Sequence, residues 1–280
     1  MKTSKTLVFG PGFLGHRLAG SLPGAVLSKA DITDRQAIER AIEAERPTSV
    51  INAAGKTGKP NVDWCESHPM ETYRSNVIGA IELADACGRH DLYLLHLGSG
   101  CIFYGPSPSA GGWREDDHAN PSALYSRSKY AADLMLSRLP GVGIARLRMP
   151  IDSAPGPRNL ITKLAAYPRV IDVENSVTVI DDLVSVVGRL VELRAAGVFH
   201  VTNPGVMRHR DLLEGYRRLV DPKHAYTLIE EAALVREGLA VRGRSNCVLA
   251  SPRLEALGVA MRPIDLALAD CLERYARAAR

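Results

Sequence analysis

The chain has 280 residues, 46% hydrophobic and 24% charged, a balance that excludes disordered, collagen-like and fibrous classes. No apolar run approaches the roughly 18–20 residues that a membrane helix needs, and the apolar stretch at the amino terminus is too short for a signal peptide. The net charge of +4 comes from residues 141–280, which hold 20 basic and 16 acidic side chains, whereas residues 1–140 hold 15 of each. This excess is too small and too scattered to form a binding patch for nucleic acid or a membrane surface, but it suits a small anionic ligand.

Strands and helices alternate through the first half of the sequence. Strands are predicted at 5–9, 25–27, 49–53, 92–97 and 143–147, and helices at 13–22, 34–46, 70–89 and 122–139. Strands that are apolar on both faces and alternate with helices are typical of a parallel sheet covered on both sides. The sequence therefore predicts a doubly wound α/β fold of the Rossmann type.

The second half is interrupted by prolines and is dominated by helices, predicted at about 179–195, 208–219 and 264–278. We interpret residues 1–150 as a dinucleotide-binding Rossmann domain to which segments near 175–205 return. Residues 151–280 are then a smaller, mostly helical substrate lobe, interleaved with the first domain.

Five cysteines lie far apart in the sequence, at positions 65, 87, 101, 247 and 271. An odd number without a Cys-x-x-Cys pair favours reduced thiols in the cytoplasm over a disulfide framework or a zinc site. No spacing of histidines and cysteines indicates a metal.

A glycine motif follows the first predicted strand directly and opens the first helix. It reads Gly10-Pro11-Gly12-Phe13-Leu14-Gly15. In this context the glycines permit a tight turn, close approach of a pyrophosphate and close packing of helix on strand, while the helix amino terminus faces the phosphates. The alternative is a plain glycine turn. The predicted cofactor site consists of Gly10, Gly12, Phe13, Leu14, Gly15, Ser28, Lys29, Asp31, Ile32, Ala53, Ala54, Gly55, Tyr125 and Lys129.

The end of the second strand distinguishes the two nicotinamide dinucleotides. An acidic residue there would bind the ribose 2′-hydroxyl and repel a 2′-phosphate. Here the strand ends in Ser28 and Lys29, which favours NADP over NAD, although Lys29 is also interpretable as an ordinary surface lysine. Asp31, followed by Ile32, is better placed for the adenine edge.

Three polar residues follow the pattern of a carbonyl-reducing site. Ser99 lies just past the apolar fourth strand, and Tyr125 and Lys129 are four residues apart on one helical face. A tyrosine pKa is ordinarily about 10, and we expect the neighbouring ammonium of Lys129 to lower it. Ser99 would donate to the substrate carbonyl and Lys129 would hold the nicotinamide ribose.

These motifs together resemble the extended short-chain dehydrogenase/reductases, in the branch of the dTDP-4-dehydrorhamnose reductases and the bifunctional 3,5-epimerase/4-reductases that make nucleotide-rhamnose. The resemblance covers nearly the whole chain. It is densest at 52–55, 57–68, 100–103, 148–151, 157–163 and 202–205. It implies an NADPH-dependent enzyme acting on a nucleotide-linked 4-keto-6-deoxyhexose, with UDP favoured over dTDP.

The resemblance also implies an acid/base pair that inverts carbons 3 and 5 of the sugar, at the positions of Cys101 and Lys163. A ketone at carbon 4 acidifies the hydrogens on both centres, and inversion needs one group to remove a proton and another to return it. From the residues alone, the favoured interpretation of Cys101 is a small buried hydrophobe and that of Lys163 a solvated helix lysine. The ordinary lysine pKa of about 10.4 has to be lowered for Lys163 to act as a base.

Three further residues are candidates for supporting or binding the substrate. Asn76 resembles the asparagine that supports the active site of this superfamily, or is a helix-surface residue. Asn159 and Arg244 are candidates for holding the diphosphate or the sugar, since arginine binds phosphate in a bidentate manner; a structural ion pair is the alternative for Arg244.

The sequence departs from the family pattern at Leu249-Ala250 and in a shortened loop at 104–120, so nucleotide preference stays open. The alternatives to the bifunctional enzyme are a 4-ketoreductase alone and a non-catalytic NADP-binding subunit. Exposed positions on the helices at 70–89 and 122–139 are candidates for a homodimer face.

Overall fold

The strands of the first half form one parallel sheet. The computed structural model describes residues 5–280, and in that range six strands pair in the order β10-β5-β4-β3-β1-β2. They are β1 (Thr6–Phe9), β2 (Ala25–Ser28), β3 (Ser49–Asn52), β4 (Tyr93–Ser99), β5 (Val142–Leu147) and β10 (Gly197–Val201). The predicted doubly wound fold is confirmed, and the sheet gains β10, a strand absent from the predictions.

Helices between these strands lie at the predicted positions, except for the short α3, which was not predicted. They are α1 (Phe13–Ser21), α2 (Arg35–Glu45), α3 (Trp64–Ser67), α4 (Pro69–Tyr73), α5 (Gly79–Arg89), α6 (Leu124–Leu136) and α8 (Ile180–Glu192). Asp34 caps α2 as expected, because its carboxylate accepts from the Ala37 amide at 3.1 Å. A π-helical segment, Arg74–Ile78, joins α4 to α5 where a continuous helix was predicted.

The remaining elements are short strand pairs and helices. The strands are β6 (Pro150–Ile151), β7 (Arg169–Ile171), β8 (Glu174–Asn175), β9 (Thr178–Val179), β11 (Met207–Arg208) and β12 (Thr227–Ile229). The helices are α7 (Leu160–Ala165), α9 (His209–Leu219), α10 (Ala233–Arg236), α11 (Pro252–Ala256) and α12 (Ile264–Ala278).

Contacts within the described chain divide it into two units. Unit 1 takes the residues up to Ile102, with Pro121–Arg146 and Val187–Phe199; unit 2 takes Phe103–Asn120, Leu147–Val186 and His200–Arg280. The chain therefore crosses between units more often than a boundary at residue 150 implies.

Each unit has a buried apolar core of its own. In unit 1 the sheet packs on α2, α5 and α6 through Leu7, Ile38, Leu83, Leu94 and Leu136. In unit 2, α7, α9 and α12 pack through Ile161, Leu212, Leu268 and Leu272. None of the helices formed by residues 5–280 is long and apolar enough to cross a membrane.

Candidate active site

Ser99, Cys101 and Tyr125 come together in unit 1 at the carboxyl end of β4. Ser99 is the last residue of that strand, and its hydroxyl hydrogen-bonds the Tyr125 phenol. The Ser99 Oγ also accepts from the Cys101 amide nitrogen at 3.2 Å, and the Cys101 thiol is close enough to act electrostatically on the phenol. Parallel strands present ligand-binding residues at this edge of the sheet, which is where sequence analysis placed Ser99.

The Tyr125 phenol is a proton donor near neutral pH. Burial raises the pKa of the phenol, and the Cys101 thiol adds to this rise, while the Ser99 hydrogen bond opposes it. The predicted lowering by the Lys129 ammonium is therefore wrong for this structure. The reason is geometric, because the Lys129 Nζ points towards β4, where it donates to the Leu97 carbonyl oxygen at 2.8 Å.

Lys129 is buried, with 4% of its surface exposed. Burial lowers the pKa of its amine to about 8, and the nearby Asp133 carboxylate opposes this change. Asp133 is itself paired with Arg146, whose Nε lies 2.8 Å from Asp133 Oδ2, and both partners are buried. The lysine therefore has an amine that titrates near neutrality rather than a permanent cation.

Two buried polar residues that sequence analysis did not assign to the site are connected to Lys129, His96 directly and Asn52 through His96. His96 on β4 places its Nε2 3.0 Å from Lys129 Nζ, and its Nδ1 3.0 Å from the Asn52 Nδ2 on β3. Both side chains are fully enclosed. A polar residue in the otherwise apolar run of β4 was the available signal, because a buried polar side chain requires a partner.

Asn76 braces the site from the π-helical segment. Its Nδ2 donates to the Lys56 carbonyl oxygen at 3.1 Å and to Ser128 Oγ at 3.0 Å, and its Oδ1 accepts from the Lys56 amide. Ser128 in turn donates to the Tyr125 carbonyl oxygen at 2.7 Å. Asn76 is thus a buried support that ties α6 to the loop after β3, and the alternative of a helix-surface residue does not hold.

Glu66 on α3 supports the helix that carries Tyr125. Its carboxylate accepts from the Leu124 amide at the first turn of α6, at 2.7 Å. An acceptor at a helix amino terminus satisfies a free N–H group and complements the helix dipole. The neighbouring Cys65 is buried and its pKa is raised by burial, in agreement with packing as its function.

The glycine motif has the shape of a phosphate cradle. Gly10 has φ +98°, and a Cβ there would lie 2.3 Å from the Ala54 nitrogen; a Cβ on Gly15 would lie 1.9 Å from the Gly10 oxygen. Gly12 is exposed and faces open space, at the start of α1. Two glycines are thus required for close packing and the third leaves room for a ligand, so these residues fit a dinucleotide.

Other predicted cofactor residues differ in exposure. Ser28 is buried and accepts from the Ala30 amide, whereas Lys29 is exposed at the end of β2. The Asp31 carboxylate is exposed and accepts from Thr33. The Ile32 side chain is in the core of unit 1, which leaves its backbone as the part able to contact a ligand. Phe13 and Leu14 are half-buried, as are Ala53 and Ala54, and Gly55 is exposed.

Lys163, Asn159 and Arg244 all belong to unit 2. Lys163 is half-buried on α7, and burial lowers the pKa of its amine, with the Arg158 charge adding to this. That is the direction in which a lysine base must change. Arg244 is half-buried and precedes Ser245, whose carbonyl oxygen accepts from the Arg148 guanidinium.

Asn159 is a structural residue in this conformation. It is fully buried, caps α7 by accepting from the Ile161 amide at 3.1 Å, and accepts from the Asp152 amide at 3.2 Å. Its Nδ2 donates to the carbonyl oxygens of Asp152 and Ala154. These four bonds use the whole amide, so the predicted contact with substrate is replaced by a helix cap. Among residues 5–280 no cluster of three or more potential ligands is arranged for a metal ion.

Comparison with known proteins gives one family match, which extends over residues 10–276. The matching family is described as the RmlD substrate binding domain. The chain belongs to the RmlD substrate-binding family. The match covers both units, including Ser99, Tyr125 and Lys129.

Relatives of this RmlD-family chain include enzymes of rhamnose synthesis. A bifunctional dTDP-4-dehydrorhamnose 3,5-epimerase/dTDP-4-dehydrorhamnose reductase of Arabidopsis thaliana is 40% identical over 233 residues, covering 80% of this chain and 76% of the relative. The chain spans about a third of the length of several trifunctional relatives from the same plant.

Solved structures share the fold of this RmlD-family chain. The L780 UDP-rhamnose synthase of Acanthamoeba polyphaga mimivirus superimposes with a TM-score of 0.88 at 26% identity, covering 97% of this chain and 99% of that one. A dTDP-4-dehydrorhamnose reductase of Bacillus anthracis, solved in complex with NADP, has a TM-score of 0.82 at 21% identity and covers 98% of each chain. At that identity the second structure supports the fold alone.

Proposed function

We propose that the chain is a bifunctional 3,5-epimerase/4-reductase that converts a nucleotide-linked 4-keto-6-deoxy-D-glucose to nucleotide-L-rhamnose with NADPH. UDP is the favoured nucleotide and dTDP the alternative. Support comes from the relatives, which are named as enzymes of both kinds, and from the residues assembled in unit 1. NADP is favoured over NAD by the exposed Lys29 at the end of β2.

The reductive half of the proposed reaction uses Ser99, Tyr125 and Lys129. NADPH supplies the hydride when it is bound in the glycine cradle. Ser99 and Tyr125 share a hydrogen bond and would both contact the carbonyl oxygen at carbon 4. Because the phenol is protonated near neutral pH, Tyr125 donates its proton to the oxygen as the alcohol forms.

The position of Cys101 is the observation that favours a bifunctional enzyme over a reductase alone. Its backbone is bonded to Ser99, and its thiol acts on Tyr125, so we infer that a sugar whose carbonyl meets these two residues would present carbon 3 or carbon 5 to the thiol. We assign one acid/base function to Cys101. Lys163, with its lowered pKa, is proposed as the second group, and Arg244 as a ligand of the substrate diphosphate.

Hydrogen exchange tests the epimerase activity separately from reduction. Incubated with the 4-keto-6-deoxyglucose nucleotide in heavy water, without NADPH, the enzyme should incorporate deuterium at carbons 3 and 5. Cys101→Ala should slow this exchange at least about 100-fold, because it removes the general acid/base, while a pre-epimerised substrate is still reduced.

The matched control is Cys87→Ala, the same substitution at a buried thiol in the core of unit 1. It should exchange at the wild-type rate. Absence of deuterium incorporation by the wild-type enzyme would leave the 4-ketoreductase as the function. If the wild-type enzyme consumes NADPH with neither the UDP-linked nor the dTDP-linked substrate, the result would favour a non-catalytic NADP-binding subunit.

We also propose that the enzyme acts in the reducing environment of the cytoplasm, because its five cysteines are present as thiols rather than disulfides.

A further inference from the structure

A line of hydrogen bonds leads from the loop after β3 to the catalytic lysine. The Ala54 amide donates to Asn52 Oδ1 at 3.0 Å, Asn52 Nδ2 lies 3.0 Å from His96 Nδ1, and His96 Nε2 lies 3.0 Å from Lys129 Nζ. The three side chains are buried, so each hydrogen must meet an acceptor.

The Ala54 amide determines which atom donates and which accepts in each hydrogen bond of this line. A backbone N–H is always a donor, so the atom of Asn52 that faces Ala54 is the carbonyl oxygen. The amide nitrogen of Asn52 therefore faces His96 and donates to Nδ1. A neutral imidazole that accepts at Nδ1 carries its hydrogen on Nε2, and this hydrogen points at Lys129.

We propose that His96 is a positioning residue that holds Lys129 as a neutral amine in the free protein at mildly alkaline pH, by donating its Nε2 hydrogen to the lone pair of Nζ. An ammonium has three donors and no acceptor, so a protonated Lys129 would direct N–H against N–H across this contact. The remaining hydrogens of the neutral amine have an acceptor in the Leu97 carbonyl oxygen, at 2.8 Å.

The surroundings of both groups agree with this assignment. Burial lowers the pKa of His96 well below its ordinary value, and the Lys129 charge would lower it further, so the imidazole is neutral. Burial likewise lowers the pKa of Lys129. Of the charged groups near the lysine, Asp133 favours the ammonium, but its carboxylate is paired with Arg146 on β5. Tyr125, on the same helix, is a neutral phenol.

Protonation of Lys129 then requires a rearrangement of the line. When Nζ takes a proton from solvent, the neutral imidazole can accept from the ammonium only if its own hydrogen moves from Nε2 to Nδ1, and Asn52 must then turn its oxygen towards Nδ1. That turn breaks the bond from Ala54, the residue against which Gly10 packs. The charge of the catalytic lysine is thus linked to the backbone of the dinucleotide cradle. This inference concerns the free protein and does not depend on the epimerase proposal.

The histidine tautomer is the direct test. In protein labelled with ¹⁵N-histidine and free of dinucleotide, long-range proton–nitrogen correlation at pH 9 should show His96 with hydrogen on Nε2 and an unprotonated Nδ1. His96→Gln identifies the signal by its loss. Hydrogen on Nδ1 at this pH, or a charged imidazole, would overturn the proposal.

A second test converts the donor at position 96 to an acceptor. In His96→Gln the side-chain carbonyl oxygen can reach the position of Nε2 and accept from an ammonium. The titration midpoint of Lys129, followed by ¹⁵N-lysine resonances assigned by their loss in Lys129→Met, should rise by at least about one pH unit. The midpoint in the pH profile of kcat/KM for NADPH, which reports the free enzyme, should rise in the same direction.

The control is Tyr93→Phe, on the same strand. Tyr93 is equally buried and its hydroxyl donates to the Ala195 carbonyl oxygen at 2.9 Å, away from the lysine. It loses a buried hydrogen bond but should leave the Lys129 midpoint unchanged. An unchanged midpoint in His96→Gln, or an equal rise in Tyr93→Phe, would show that His96 is only structural.

Discussion

At the scale of single residues, the candidate site is decided by which polar groups are enclosed. Tyr125 and Lys129 are the expected pair, yet burial determines their protonation more than their mutual attraction, because both groups lose water and neither faces the other's charge directly. The outcome is a neutral phenol that can give up a proton, beside an amine that titrates near neutrality.

The stability of Lys129→Met relative to the wild type should depend on pH, and it should be greatest at low pH. The pKa of folded Lys129 is lowered to about 8 from its ordinary 10.5, so burying the ammonium costs free energy that is fully present below pH 8. The cost disappears as the pH rises towards 10.5. The free-energy advantage of the variant should therefore decrease by about 3 kcal/mol between these pH values.

Urea denaturation of both proteins from pH 7 to 10.5 measures this difference. Lys5→Met is a suitable control, since Lys5 is partly exposed and forms a surface ion pair with Glu45, worth little. A stability difference for Lys129→Met that is independent of pH would contradict the lowered pKa.

At the scale of elements, the dinucleotide cradle depends on close contact between backbones. The turn after β1 packs against the loop after β3 and against α1 at distances that leave no room for a Cβ atom on Gly10 or Gly15. The sequence motif already identified this function, because only glycine permits both the positive φ of Gly10 and the contact at Gly15. The support of α6 by Glu66 came from the structure alone, since Glu66 is 58 positions away from Leu124. Support by Asn76 was expected from the family resemblance, and the structure adds its partner on α6, Ser128, 52 positions away.

Gly15→Ala should weaken NADPH binding at least tenfold and destabilise the protein by about 1–3 kcal/mol, because its Cβ would overlap the Gly10 carbonyl oxygen. Gly20→Ala is the matched control on the same helix, where a Cβ meets nothing within 4 Å. It should bind NADPH normally and be stabilised by up to about 1 kcal/mol. Fluorescence titration with NADPH and thermal unfolding measure both effects. Normal NADPH binding by Gly15→Ala would count against the cradle.

At the scale of the whole molecule, the chain divides into two units whose segments alternate along the sequence. A boundary at residue 150 was the natural expectation, because the strand–helix alternation ends there. Residues 103–120 nevertheless belong to unit 2, and composition gives no indication of this crossing. Residues 187–199 return to unit 1 with the end of α8 and part of β10, within the segment near 175–205 for which a return was predicted.

We expect the protein to form a homodimer in solution through the helices at 70–89 and 122–139. Three apolar side chains on them are about half exposed, namely Ile78, Leu134 and Met135. Burying such side chains provides the free energy of association. Light scattering coupled to size exclusion should give twice the chain mass for the wild type and the monomer mass for a Leu134→Glu, Met135→Glu variant.

Leu257→Glu is the control, since Leu257 is an exposed leucine of unit 2 outside these helices. It should leave the dimer intact. A monomeric wild type at micromolar concentration would refute the proposed face.

The sequence by itself determined five of the six strands of the sheet, the glycine cradle and the placement of Ser99, Tyr125 and Lys129, because these depend on local periodicity, turn geometry and short spacings. Only the tertiary structure decided what surrounds them. His96 contacts Lys129 and Asn52 contacts His96, Glu66 caps α6, and Asn159 is a helix cap rather than a ligand. Each of these contacts joins segments that the fold brings together or uses polar groups that must pair because they are buried. Protonation states followed the same rule, since a pKa depends on desolvation and neighbouring charge, which no linear pattern of residues records.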